Sequence, residues 1–300
     1  MKKITAIALS ALVIAGAFWQ GEALFNAALR GWLAVHGVHS NIYEGTGGTR
    51  VHWFEGGEEH GQTVILLHGV GGNAQTSWFR MLPELADRYH VIAPDLFFAN
   101  LPDLVNSDYR IGHEQLLLDI LYRECGVSHA SLVGLSFGAW PAMQKAIAEP
   151  AKVDALVLVS PFSPDGWRRV AQMEFLTSNP GKEFYYRIFE TPPPVPEIFL
   201  KSHWDRTTRV FEALPKFAGE LESVGRGLRR GLQRVNCPAL IVYGDHDAIV
   251  PQEQIRKLAG ALKHGEVVEL PSCGHAVVWD KSDMLFTVVE SFLDGQEAAQ

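Results

Sequence analysis

The chain has 300 residues, of which 47% are hydrophobic and 20% charged. This balance supports a sizeable core and excludes disorder, collagen-like repeats and a disulfide scaffold as descriptions of the whole. A net charge of −8 offers no basic footprint for nucleic acid, and three cysteines without a CxxC pair offer neither a disulfide framework nor a zinc site.

The N-terminus comes first. Lys2 and Lys3 precede Ile4 to Trp19, sixteen residues without a charge. This is the pattern of an export signal, with Ala15-Gly16-Ala17 as a small-residue cleavage site. It falls short of the ~20 apolar residues of a full membrane span. Residues 1–23 are therefore expected to be a signal peptide or an uncleaved signal anchor. The protein is then exported: periplasmic, extracytoplasmic or membrane-anchored. In 24–40, Leu24, Phe25, Ala28, Leu29, Trp32, Leu33 and Val35 recur at helical spacing. Such an amphipathic segment either continues the anchor, lies on a membrane, or packs on the domain as its first helix.

From Asn41 the text alternates. An early strand is expected over Arg50 to Phe54. Short apolar runs follow at Thr63–Leu67, His90–Ala93, Ala130–Leu135, Val153–Val159, Ala239–Tyr243 and Glu266–Leu270. Continuous Val/Ile/Leu runs mark strands buried on both faces, as in a parallel sheet. Helical patterns fall between them, at Trp78–Arg88, Glu114–Cys125, Trp140–Ala148, Glu253–Leu262 and Met284–Leu293. The expected fold class is α/β, a mostly parallel sheet with helices on both faces. Its two parts span 41–160 and 237–295, leaving a short tail at 296–300.

One interval breaks this rhythm. Residues 161–236 lack a strong strand and hold eleven aromatics, a proline run at 192–196 and a charge of +3. A strandless stretch this long is expected to be a helical lid inserted between two sheet strands, rather than ordinary surface helices.

Chemistry concentrates at strand ends. Gly134-Leu135-Ser136-Phe137-Gly138 fits G-x-S-x-G between a strand and a helix, the context that motif requires. Ser136 is the candidate nucleophile. His68-Gly69-Val70-Gly71-Gly72 follows the strand Thr63–Leu67, and the amides of Val70 and Phe137 are candidate oxyanion donors. No Lys-Ser or Lys-Thr follows Gly72, which argues against a phosphate loop. His68 reads as a structural residue beneath the turn. Asp245 and Asp247 follow the strand Ala239–Tyr243, and either carboxylate could orient a histidine; Asp165 is an outside candidate. His275 ends Pro-Ser-Cys-Gly-His after the last strand. Cys273 reads as a packed residue. Arg226, Arg229, Arg230 and Arg234 read as a solvated helix face, with anionic lipid as the sharper alternative.

These pieces, HGVGG, GLSFG, YGDHDAIVP and SCGH, resemble the α/β-hydrolase superfamily in their order over residues 48–294. The narrower likeness is to membrane-associated monoacylglycerol lipases. The resemblance implies a Ser136-Asp247-His275 triad, because the family's pattern places its carboxylate at the inner aspartate. It also implies a lid in the aromatic interval. The sequence departs from many relatives after Asp95, where a glycine-rich loop gives way to Leu96-Phe97-Phe98. These three are candidate substrate contacts.

The expected function is a serine hydrolase of small hydrophobic carboxylic esters, with no metal or organic cofactor and with membrane association through the N-terminal segment. An amidase or C–C bond hydrolase on the same triad is the alternative. A ligand-binding protein on a hydrolase fold is the alternative of another class.

Overall fold

A computed structural model describes residues 22–100, 108–164, 179–195 and 197–297. The signal-peptide expectation falls almost wholly outside these residues, and Asp165 lies outside them too. No helix of the described residues is long and apolar enough to cross a membrane.

Eight strands form one sheet: β1 (His39–Glu44), β2 (Arg50–Gly56), β3 (Thr63–Leu67), β4 (His90–Pro94), β5 (Ala130–Leu135), β6 (Val153–Val159), β7 (Ala239–Gly244) and β8 (Gly265–Leu270). Their order is β1-β2-β4-β3-β5-β6-β7-β8. The β1–β2 and β2–β4 pairs are antiparallel, and every later pair is parallel. Strands β3, β4, β5 and β7 are buried along their whole length. Helices cover both faces, so both sets of alternating side chains must be apolar. This is the mostly parallel α/β sheet, covered on both faces, that the alternation predicted.

Two local departures have physical causes. The segment 24–40 is not one helix. Helix α1 (Glu22–Val35) stops there, Gly37 takes a positive φ of 78°, and β1 begins at His39. The Val38 amide returns to the Leu33 carbonyl at 3.0 Å, closing the helix through the conformation glycine adopts most readily. Leu29 and Leu33 are fully buried in the core beneath, worth roughly 1.5–3 kcal/mol each. Helix α1 is thus packed on the domain, the third of the three expected roles.

Of the predicted helix Trp78–Arg88 the helical part is α3 (Met81–Ala86), and Trp78 instead ends a separate short helix, α2 (Ala74–Trp78). Asn73 starts α2, its side chain accepting from the Thr76 amide while Thr76 caps in return. Pro83 lacks the N–H that a continuous helix would need from it.

The sheet is completed by α4 (His113–Glu124), α5 (Ala139–Ala148), α9 (Gln252–Ala261), α10 (Val277–Asp280) and α11 (Ser282–Glu297). Three further helices, α6 (Pro180–Ile188), α7 (Glu197–Ala213) and α8 (Ala218–Gly231), lie between β6 and β7. They form a helical insertion at the carboxyl end of the sheet. Phe184, Phe211, Phe217 and Leu221 join the core cluster that contains Phe98, Phe137 and Trp140. These four side chains of the insertion therefore pack inward, while Tyr186 stays exposed. The arginines of the α8 region, Arg226, Arg229, Arg230 and Arg234, are all exposed.

Candidate active site

Ser136 sits where β5 gives way to α5. Its φ is +53°, in the left-handed region that a serine rarely occupies. The glycines on either side explain how the turn closes. A Cβ on Gly134 would lie 2.6 Å from Ala139 Cα, and one on Gly138 would lie 2.3 Å from the Leu67 carbonyl oxygen. Any larger residue at either point would force the backbones apart. The turn therefore tightens against β3, and Ser136 stands above the sheet end.

His275 reaches this serine from the loop after β8. Its Nε2 lies 2.9 Å from Ser136 Oγ, and its Nδ1 lies 2.8 Å from Asp247 Oδ2. A carboxylate only accepts, so Nδ1–H donates to Asp247 and Nε2 is left to accept from the serine hydroxyl. Asp247 is held from its other side. Its Oδ1 accepts from the Ile249 and Val250 amides, both at 2.8 Å. All three side chains are nearly enclosed: Ser136 and His275 are each 4% exposed as residues, and the Asp247 side chain 2%.

The two aspartates of Gly244-Asp245-His246-Asp247 are separated by this geometry. Asp245 does not face His275. Its Oδ1 accepts the Cys273 amide at 3.1 Å and so fastens the histidine loop to β7. Burial raises the Asp245 carboxyl, but the amides of Cys273 and Ser272 outweigh that and hold it below its ordinary range. Gly244 is needed beneath, since a Cβ there would lie 2.1 Å from the Cys273 carbonyl. Cys273 itself is wholly buried, and burial pushes its thiol up to about 12, away from nucleophilic chemistry.

Across from the serine lies the loop after β3. His68 is fully buried there, with Nδ1 2.9 Å from the Gly69 carbonyl and Nε2 accepting the Leu96 amide at 3.0 Å. Burial lowers its pKa and keeps the ring neutral. It ties two loops together beneath the site. A Cβ on Gly69 would approach Ser136 Cβ to 3.0 Å, so this loop runs close past the nucleophile. The Val70 amide has no acceptor among the described residues. Phe137 lies in the first turn after β5, a place where backbone amides have no acceptor within the helix.

Leu96, Phe97 and Phe98 occupy different depths. Leu96 and Phe98 are buried, and Phe98 packs on Phe137 with ring centroids 4.6 Å apart. Phe97 is half-buried. What holds them is not legible in the local residues. Glu114, on α4, accepts the Phe97 amide at 3.1 Å, the Phe98 amide at 2.8 Å and the Tyr109 hydroxyl at 2.7 Å. Burial raises the Glu114 carboxyl to about 7 against these three donors. Asp95 is a second anchor, half-buried, accepting the Ala74 amide at 2.8 Å and facing His52 at the same distance. Burial raises Asp95, but His52, His68 and the Ala74 amide hold it below its ordinary range.

Among the described residues, His39, Glu55 and Glu58 are the one group close enough together to share a metal ion. Glu55 is already occupied by Asn41, Trp53 and His90. The group lies on the β1–β2 side, away from Ser136.

The fold, with a strained serine and a histidine–carboxylate pair at the sheet end, defines a hydrolase enzyme of the α/β class. The profile of the alpha/beta hydrolase family matches residues 64–287, and the chain belongs to that family. It is 26% identical over 267 residues to the 2-hydroxy-6-oxo-6-phenylhexa-2,4-dienoate hydrolase of Comamonas testosteroni, covering 81% of this chain and 91% of the relative. It is 23% identical to Lipase 3 of a Moraxella species, with 83% and 82% covered. Its fold matches the crystal structure of a bacterial membrane phospholipase A at a TM-score of 0.76, with 22% identity and 99% of each chain covered.

Proposed function

We propose that this protein is a serine hydrolase of carboxylic esters with a hydrophobic acyl or alcohol group, acting through Ser136, His275 and Asp247. The observation that carries the reading is the continuous chain from Ser136 Oγ through the His275 ring to Asp247, at 2.9 and 2.8 Å. A neutral serine is a poor nucleophile. His275 removes its proton as Oγ attacks the acyl carbonyl, and Asp247 stabilises the imidazolium that forms. The amides of Val70 and Phe137 receive the oxyanion, where losing one donor typically costs about 100-fold or more in rate. The alcohol leaves with the proton from His275. Water then attacks the acyl-enzyme with the same histidine as base.

The apolar surroundings support a hydrophobic substrate. Val70 and Phe97 are half-buried beside the site, Phe162 packs 5.9 Å from the His275 ring, and Phe184 and Thr207 of the insertion approach the Gly71 turn. The Moraxella lipase likeness agrees with this reading. The Comamonas relative favours a second one, a dienoate hydrolase on the same triad.

The test is hydrolysis of p-nitrophenyl esters from acetate to palmitate, with Ser136→Ala as control. Turnover is expected to fall by about 10⁴-fold or more in the variant while the fold is retained. Turnover of the dienoate with no ester hydrolysed selects the second reading. No labelling of Ser136 by a fluorophosphonate leaves only a ligand-binding role.

We also propose export, with residues 1–23 as signal or anchor and with membrane association through that segment. The uncharged run Ile4–Trp19 behind two lysines supports it. The mass of the mature N-terminus decides between cleavage and anchoring.

A further inference from the structure

The insertion is joined to the histidine loop at one short stretch of backbone. Helix α6 ends at Ile188, and the chain continues extended through Phe189. The Ala276 amide donates to the Ile188 carbonyl at 2.7 Å. Two residues on, the Glu190 amide donates to Asp280 Oδ2 at 2.9 Å. The same oxygen accepts the Gly274 amide, also at 2.9 Å. Residues 274 and 276 are the two neighbours of His275. Both are thus bonded, directly or through Asp280, to the strap 188–190.

The fit is close. A Cβ on Gly274 would lie 2.7 Å from both the Glu190 nitrogen and the Ile188 carbonyl oxygen. The Glu190 side chain extends the contact to the other triad loop. It lies 2.9 Å from Nδ1 of His246, the residue before Asp247. Burial raises the Asp280 carboxyl, and it keeps its two amide donors nonetheless. Nothing in the chemistry of ester cleavage requires Asp280 to touch substrate.

We propose that Asp280 is a positioning residue for His275: through one oxygen it fastens the loop that carries the base to the strap at the end of the insertion's first helix. The insertion then does more than cover the site. Its strap fixes the height of the imidazole above Ser136, and a displacement of α6 moves the base. This inference rests on the reading of Ser136, His275 and Asp247 as a triad. Because a misplacement of about 1 Å costs on the order of 100-fold in rate, the tie is expected to act on the chemical step.

The experiment measures how fast a fluorophosphonate labels Ser136 in the full chain, where Oγ displaces fluoride from phosphorus and its proton passes to His275. Ester kcat and KM are measured in parallel. Asp280→Ala is expected to slow labelling and lower kcat by 10- to 100-fold, with KM changed less than about threefold. Asp280→Asn keeps an acceptor oxygen and is expected to restore most of both rates. Labelling of Asp280→Ala at the wild-type rate overturns the inference alone, as does a loss confined to KM or an Asp280→Asn variant as slow as the alanine. A wild-type chain that neither labels nor turns over ester overturns the triad reading with it.

Should Asp280→Ala fail to fold, Glu190→Pro removes the same bond from the strap side. Phe189 has φ −97° and ψ 144°, a conformation that precedes proline without strain. Glu190→Ala keeps the amide and serves as its control. Slower labelling in the proline variant than in the alanine one is expected, and equal rates overturn the tie.

Discussion

The loop after β5 and the loop after β4 lie side by side at the sheet end, with Phe137 of one packed on Phe98 of the other. They are held in opposite ways. The Ser136 turn is fixed by its own neighbours, Gly134 and Gly138, whose missing side chains let the backbone fold back on itself. The Leu96–Phe98 loop is fixed from elsewhere, by a carboxylate sixteen residues later and a histidine in the loop after β3. A loop shaped by its own backbone writes its constraint into a few adjacent letters. A loop shaped by a remote side chain leaves no local trace.

The largest expected effect breaks the first loop. Gly138→Ala places a Cβ against the Leu67 carbonyl, and both partners are backbone. Neither can give way cheaply, so a loss above ~4 kcal/mol is expected. Urea denaturation measures it, and a variant of near-native stability would show that the turn has slack.

The second loop is expected to answer to pH. The Glu114 carboxyl is raised from 4.5 to about 7 by burial. A raised carboxyl binds its proton more tightly in the folded state, so its contribution is fully present below pH 4.5 and is lost as pH rises through about 7. The whole span is on the order of 3 kcal/mol. Glu114→Gln is expected to flatten this slope between pH 5 and 8, while losing some stability at the acid end because one acceptor oxygen is gone. Urea midpoints across that range test it. An unchanged slope would assign the pH dependence to another group.

The smallest effect calibrates both. Arg226 pairs with Glu222 at 3.2 Å on the outer face of α8, one turn apart. Arg226→Ala is expected to cost ~0.3–0.5 kcal/mol and to leave ester turnover unchanged. A tenfold change in turnover would mean that the arginine face does more than meet solvent.

The same contrast explains what was legible. Strands β3, β5, β6 and β7 could be read because burial on both faces demands unbroken apolar runs. Ser136, Asp247 and His275 each stand in a short pattern just past a strand, and the structure brings the three together. Strand β1 could not be read, because His-Ser-Asn-Ile-Tyr-Glu carries no such run. The break between α2 and α3 depends on the Asn73 cap and Pro83, which the apolar periodicity overrides on paper. Glu114 and Asp280 escaped for another reason. Each acts through backbone amides, and an amide has no letter of its own.

The outer strands have one more consequence. Both margins of the sheet are partly wet: β1 is nowhere buried, and β8 is buried only at Leu270. Among the described residues no further strand pairs with either margin, so each offers backbone amides and carbonyls to any other strand that drifts past. The acidic groups Glu44, Glu266 and Glu269 stand along these margins. Two such margins meeting would bring like charges together and bury polar side chains without partners. The polarity that hides β1 from a reader of the sequence thus guards the sheet against joining with its own copies into aggregates.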